Sequence, residues 1–266
     1  MNRMERGQVK RTAADIYEEF FVPALFQEWT DRVADVARVQ AGDHVLDVAC
    51  GTGVLARTVA EHVGSAGSVI GLDINEGMLA VAAQKAPYID WCHGQAEALP
   101  FDAASFDVVV SQFGLMFFDD PIAAIREMYR VLRPDGHLAV AVWDTLDNTP
   151  GYATMVQLLH DLFGEQVAYG LRVPYNMGDT SALRTLFARA GVSQANVMTY
   201  RGTAHYPSIR SWVHTDIYGW TLADVLNNVQ VEKLVNEAEQ ALAHFVNGDG
   251  SVAFDAPAHI VSVVKR

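Results

Sequence analysis

The chain has few cysteines, little positive charge and no long apolar run. Cys50 and Cys92 are the only two cysteines in 266 residues, with no paired spacing that would indicate a disulfide framework. There is no Cys-x-x-Cys or His-x-x-Glu spacing to suggest a bound metal. No stretch approaches the roughly 20 apolar residues that a membrane-spanning helix needs, and the polar opening, Met1 to Lys10, lacks a secretory signal. These absences predict a reduced, cytoplasmic protein with no integral membrane segment. Only 19 Lys and Arg stand against 32 Asp and Glu, for a net charge of −13. A polyanion would be repelled before any specific contact formed, so nucleic acid is excluded as a partner and a small molecule is favoured. Half of the residues are hydrophobic, enough to bury one large α/β core with additions. The expectation is a single domain over residues 1–266; assembly into a homo-oligomer stays open.

The organising stretch runs from Val45 to Ala56, V-L-D-V-A-C-G-T-G-V-L-A. Val45, Leu46 and Val48 form a short apolar run, Gly51 and Gly53 follow, and a helix-compatible segment begins near Val54. Strand, glycine turn and helix in that order bring bare backbone close to a ligand, because glycine has no Cβ to hold it off. Val69-Ile70-Gly71-Leu72-Asp73 reads as a second buried strand. It ends in a carboxylate where a parallel sheet would place a ribose-binding acid.

Two ligand classes fit this arrangement. Gly51 to Ala56 satisfies the G-x-G-x-x-G/A dinucleotide fingerprint and Asp73 lies at about the expected distance, so an NAD-dependent oxidoreductase is a live reading. Asp47 argues against it. A carboxylate at the tip of the first strand would repel a diphosphate but attract an ammonium or sulfonium. S-adenosylmethionine carries both cations, has a ribose for Asp73 and lacks phosphate.

Five motifs then occur in order: D-V-A-C-G-T-G, G-L-D-I-N-E-G-M-L (Gly71 to Leu79), A-E-A-L-P-F (Ala96 to Phe101), S-F-D-V-V-V (Ser105 to Val110) and V-L-R-P-D-G (Val131 to Gly136). As an ordered set they resemble class I S-adenosylmethionine-dependent methyltransferases, in particular the type 11 group similar to ubiquinone and menaquinone methyltransferases. The resemblance covers the core from about residue 39 to 143. It implies a doubly wound, mostly parallel seven-stranded α/β sheet, the Rossmann-like methyltransferase fold, with a helical cap over the C-terminal ends of the strands. It also implies a cofactor site built from Asp47, Ala49, Gly51, Gly53, Asp73 and Ser111, with Ile74 and Met78 packing on the adenine faces. Gln95 stands where many relatives carry an acid; its amide oxygen and the Ala96 N–H can still meet the adenine edge. His93, at the end of a strand near adenine, is read as structural.

The cap is expected from residues 12–37, 144–178 and 206–248. In the first segment Pro23 is expected to break a helical pattern in two. By resemblance an N-terminal helix closes the cofactor pocket, and Tyr17 is the ring chosen to cover the methionine end, where a ring face would also suit a sulfonium. The second segment is read as a helix over 152–163 and irregular chain over 164–178. The third is helical and rich in aromatics, among them Trp212 and Trp220, which individually fill the cap's own core and collectively imply an apolar chamber.

By resemblance the tip Ser111-Gln112-Phe113-Gly114 lies beside the transferable methyl. It lacks the Asp/Asn-Pro-Pro-Tyr motif common in DNA and protein N-methyltransferases. The expected reaction is therefore metal-independent methyl transfer to a small, largely apolar or aromatic molecule, with O- or C-methylation favoured. Gln112 is a candidate contact at the reacting end. His160, His205, His214, Asp216 and Tyr218 are candidates for a general base, His214 being the first choice. A non-catalytic S-adenosylmethionine-binding protein on the same fold is the remaining alternative.

Overall fold

The computed structural model describes residues 11–219, 222 and 225–266. Trp220, one of the expected cap aromatics, lies outside the described residues. The chain opens with α1 (Arg11–Ile16), which continues into a widened π-helical stretch, Tyr17–Phe26, and one tight turn, Gln27–Trp29, before α2 (Thr30–Val36). Pro23 lies inside that stretch. It widens the helix where a break was expected: a proline offers no N–H to the ladder, and the register shifts so that the Gln27 N–H reaches the Val22 carbonyl.

Alternating strands and helices follow: β1 (His44–Val48), α3 (Val54–Val63), β2 (Ser68–Asp73), α4 (Glu76–Lys85), β3 (Asp90–His93), β4 (Phe106–Gln112), α5 (Pro121–Val131) and β5 (Leu132–Trp143). The helix starts have local causes. Asn75 caps α4 through the Met78 N–H, and Asp120 caps α5 through Ile122 and Ala123 with Pro121 in its first turn. Residues 133–136 bulge out between the pairings Phe106 with Leu132 and Val108 with His137, which is where the Arg-Pro-Asp-Gly turn was expected.

The sheet order is β3-β2-β1-β4-β5-β9-β6, where β6 is Asn196–Tyr200 and β9 is Ala258–Val264. All pairings are parallel except those of β9, which runs antiparallel to both β5 and β6. The expected doubly wound, mostly parallel sheet of seven strands is therefore present. Val45, Leu46, Val109 and Val140 are completely buried, as strands covered on both faces must be. Strand order reverses between β1 and β4. A crevice opens at such a switch point outside the C-terminal ends of the strands.

The second half departs from expectation in two places. The segment 164–178, expected to be irregular, contains α7 (Glu165–Arg172) after α6 (Pro150–Phe163). After α8 (Thr180–Arg189), a two-stranded sheet of β7 (Thr203–Tyr206) with β8 (Val252–Asp255) was not anticipated. Between those strands lie α9 (Ile209–Tyr218) and α10 (Asn228–Ala241), the latter opened by a reciprocal Asn227 and Gln230 capping box. Trp212 of α9 is fully buried, stacking on Tyr206 and on Phe254 with centroids at 5.3 and 4.5 Å. Among the described residues no helix is long and apolar enough to cross a membrane.

Candidate functional site

The crevice holds a cavity of about 290 Å³. Its neighbour, about 20 Å³, lies under the glycine loop. The loop forms because three successive odd positions take left-handed backbone: Ala49 (φ 59°), Gly51 (φ 55°) and Gly53 (φ 82°). Ala49 holds this conformation without being glycine, and its methyl takes the space opposite Gly114, where a Cβ would come within 2.6 Å of it.

The two loop glycines do different jobs. A Cβ on Gly51 would meet nothing within 4 Å, and Gly51 lines both cavities. A Cβ on Gly53 would collide with the Trp91 indole at 2.3 Å, and Gly53 lines neither cavity. Gly53 was expected at the ligand for its bare backbone; in the structure its missing side chain makes room for the half-buried Trp91 ring. Gly71, in β2, is flat against the same indole.

Asp47 is 1% exposed; the Ala56 amide at the start of α3 faces its carboxylate, and neither oxygen closes a full hydrogen bond among the described residues. Burial, reinforced by the Asp73 charge, pushes its pKa well above the usual carboxylate range. Thr52 Oγ1 and Gln112 Oε1 are likewise buried and unpartnered, and all three residues line the smaller cavity together with Tyr17. Asp73 is better supplied. Its Oδ2 accepts from the Gly51 N–H and its Oδ1 from the Asn75 N–H, each at 2.8 Å. Burial raises its pKa, and these amides and His93 pull it back.

Ile74, Met78, Gln95 and Ala96 line the far end of the larger cavity. His93 reaches the Ile74 carbonyl at 3.0 Å, a structural contact. At the tip of β4, Gln112 lines both cavities and donates from Nε2 to the Phe26 carbonyl at 3.2 Å. Phe113 has left-handed backbone (φ 58°), and its ring stacks on Trp143 with centroids at 3.7 Å and planes 2° apart. Phe26, Phe113, Phe117 and Phe118 form an aromatic wall. Tyr17 stacks on Phe26 at 5.1 Å; burial and the carboxylates of Asp73 and Glu18 push its phenol pKa up.

Six expected residues lie elsewhere. Ser111 is completely buried beside Gly114 and lines neither cavity; the alternation of the strand turns its side chain into the core. His214 is 42% exposed, 4.0 Å from Glu232 on α10 and edge-on to Tyr218. It lines neither cavity, because its helix presents the opposite face, with Trp212 and Asp216, to the interior. His160 is exposed beside Asp161, His205 is exposed on β7, and Tyr218 bonds Asn228. Asp216 is buried against the Tyr152 hydroxyl at 3.2 Å, outside both cavities. The aromatic wall of Phe117 and Phe118 was missed, although the run Phe113-Gly114-Leu115-Met116-Phe117-Phe118 directly after the β4 tip carried the signal.

Unpartnered oxygens around the smaller cavity call for a donor-rich cation. Among the described residues no Lys, Arg or His lines either cavity, so nothing would neutralise a diphosphate. An α-ammonium, a ribose and an adenine, with no phosphate, fit these residues.

Comparison with known proteins agrees with the geometry. The profile of the ubiE/COQ5 methyltransferase family matches residues 13–159. The demethylmenaquinone methyltransferase of Staphylococcus carnosus is 34% identical over 221 residues, covering 76% of this chain and 91% of the relative. Among solved structures, the YcgJ protein of Bacillus subtilis superposes with a TM-score of 0.62 at 19% identity, covering 90% of this chain and 98% of that one. Phosphoethanolamine N-methyltransferase 2 of Haemonchus contortus, solved with S-adenosyl-L-methionine, gives 0.63 at 17% identity, covering 99% of this chain and 59% of that one. At those identities the structures establish the fold alone.

Proposed function

The chain belongs to the ubiE/COQ5 methyltransferase family, and from that premise we propose that it methylates a small, largely aromatic acceptor at carbon or oxygen. It is an S-adenosylmethionine-dependent methyltransferase. The nicotinamide alternative falls with that assignment. The acceptor reading rests chiefly on one observation: the wall of Phe26, Phe113, Phe117 and Phe118 along the larger cavity. Flat π-systems gain from such rings by offset and edge packing. Relatives named for demethylmenaquinone support an acceptor of the quinone type, whose reduced form is a hydroxylated ring.

When bound, S-adenosylmethionine supplies an electrophilic methyl on a sulfonium. The chain's part is to orient and to exclude water. Asp47 and Thr52 would take the α-ammonium on buried oxygens that border the smaller cavity. Asp73 offers a ribose hydroxyl its remaining lone pairs while the Gly51 and Asn75 amides hold the carboxylate in place. Gln95 and Ala96 meet the adenine edge, and Ile74 and Met78 its faces. Alignment of this kind supplies roughly 7 to 11 kcal/mol of the barrier. Among the described residues no histidine lines the cavity, whose titratable side chains are Tyr17 and the carboxylates Asp73, Glu97 and Asp119; with only weak bases at hand, an acceptor that ionises readily, a hydroquinone or an enol, suits the site better than a neutral alcohol.

The test is release of S-adenosylhomocysteine from the purified enzyme offered hydroquinones, catechols, aliphatic alcohols and amines in parallel. Turnover of hydroxylated rings is expected, with the methyl located by mass spectrometry and NMR. Turnover of amines alone would sink the reading.

A further inference from the structure

The N-terminal segment is tied to the glycine loop by one continuous set of polar contacts. Glu18 follows Tyr17 in the widened stretch. Its Oε1 accepts from Arg57 Nη2 at 2.8 Å and lies 3.8 Å from Lys85 Nζ. Arg57, in the first turns of α3, donates from Nη1 to the Thr52 carbonyl at 2.7 Å, between the two glycines. The Glu18 side chain is only 9% exposed and that of Arg57 21%, so water and salt screen this pair less than a surface one. Beside it Ala13 and Ala14 pack on Met78 and Val81 of α4. Three elements bordering the cofactor site, the N-terminal segment, α3 and α4, thus meet at one carboxylate.

We infer that Glu18 and Arg57 are positioning residues of the cofactor site: they hold Tyr17 over the smaller cavity, fix the Thr52 peptide, and together set how fast the cofactor leaves. The inference rests on the cofactor placement proposed above. The Thr52 peptide lies between two left-handed glycines, the residue type with the widest backbone freedom, and the guanidinium removes that freedom from its carbonyl. Glu18 Oε2 is buried with no partner among the described residues. A carboxylate left half satisfied adds little to stability; a positional role accounts for its presence. The link also explains how Tyr17, on a segment remote in sequence, keeps its place beside the loop. Leaving the site requires Tyr17 to move, and Tyr17 moves only when Glu18 releases Arg57.

The experiment measures dissociation of S-adenosylhomocysteine by stopped-flow displacement, with melting temperature alongside, on the full chain and on Glu18→Gln, Arg57→Gln and the double variant. Each single variant is expected to release about tenfold faster, the effect of one half-buried charge-assisted bond. The double variant is expected to be no faster than either single one, because both break the same link. Glu18→Asp, which keeps the charge and shortens the reach, is expected to accelerate release as well. A lowered melting temperature with unchanged release would reduce the pair to an ordinary ion pair and overturn the inference. Additive effects in the double variant would overturn it too. Asp47→Asn separates the two readings: if it weakens binding while the Glu18 and Arg57 variants do nothing, the inference alone fails. If Asp47→Asn binds as the wild type does, the cofactor placement itself fails.

Discussion

Gly53 lies face to face with Trp91: a Cβ on Gly53 would sit 2.3 Å from Cη2 of the indole, which is anchored from the other side by its Nε1 bond to the Ala86 carbonyl at 3.0 Å. The second glycine of the loop is therefore required by packing. Gly53→Ala adds a methyl inside a ring's van der Waals radius at a left-handed position, and a loss of about 2 to 4 kcal/mol in urea unfolding is expected. Trp91→Leu in the same chain is expected to return part of it. A Gly53→Ala protein of unchanged stability and lost cofactor affinity would show that the glycine faces the ligand instead.

Gly51→Ala separates the two roles. Its new methyl meets no protein atom, so the folding cost is confined to the left-handed backbone, about 1 to 2 kcal/mol. The methyl enters the space assigned to the cofactor, and calorimetry is expected to show affinity lowered by about tenfold or more. Equal affinity in wild type and variant would move the cofactor away from this loop.

Asp47 gives the protein a pH dependence of definite sign. Burial first, then the Asp73 charge, raises its pKa far above the ordinary value of 3.8. The folded chain therefore holds this proton more tightly than the unfolded chain. Its contribution to stability is complete below pH 3.8 and is lost as pH rises through the raised value. Without cofactor, Asp47→Asn is thus expected to gain on the wild type in melting temperature as pH rises from the acid side toward neutrality. Cofactor affinity runs the other way. An ammonium needs the carboxylate, so wild-type affinity rises with pH and binding releases a proton, visible in calorimetry as heats that vary with buffer. Asp47→Asn is expected to lose both the slope and about 10- to 100-fold in affinity. Binding that is independent of pH would refute this account.

Much of the core could be read from the sequence because its determinants are local. The run Val45 to Val48, the turn at Gly51 and the strand ending at Asp73 each announce themselves within a dozen residues. The errors share a different origin. Gly53 faces Trp91, 38 positions away, a contact that no local pattern shows. Ser111 and Gln112 are neighbours, and only the pleat of the folded strand decides that Gln112 meets the cavity and Ser111 the core. The strands β7 and β8 are four residues each and nearly 50 positions apart, too short for alternation to stand out. Pro23 reads as a break by its missing N–H, yet the wider π-helical turn absorbs it.

His214 is predicted to be dispensable for chemistry. It is 42% exposed, its nearest carboxylate is Glu232 at 4.0 Å, and it lines neither cavity. His214→Ala is expected to change kcat and the KM for cofactor by less than about twofold, as surface substitutions usually do. A fall in kcat of a hundredfold or more with KM unchanged would restore it as the general base and require α9 to rotate during turnover.

Gln112 is the side chain where the cofactor site, the N-terminal segment and the β4 tip converge, and its two ends can be tested apart. Nε2 donates to the Phe26 carbonyl at 3.2 Å, which lies at the end of the widened helix. Oε1 is buried, unpartnered and beside Asp47 in the smaller cavity. Gln112→Leu removes both ends with similar volume. Loss of the unpaired oxygen offsets part of the cost of leaving the Phe26 carbonyl without its donor, so a destabilisation of no more than about 1 to 2 kcal/mol is expected. KM for S-adenosylmethionine is expected to rise about tenfold, because the site loses an acceptor for the ammonium and the tie that holds Phe26. Gln112→Glu keeps the acceptor but sets a carboxylate against the Phe26 carbonyl and against Asp47. Its destabilisation is expected to exceed that of Gln112→Leu and to grow with pH as the new acid ionises. If both variants bind the cofactor as the wild type does and differ only in stability, Gln112 serves as a strut between strand and helix and has no contact with the ligand.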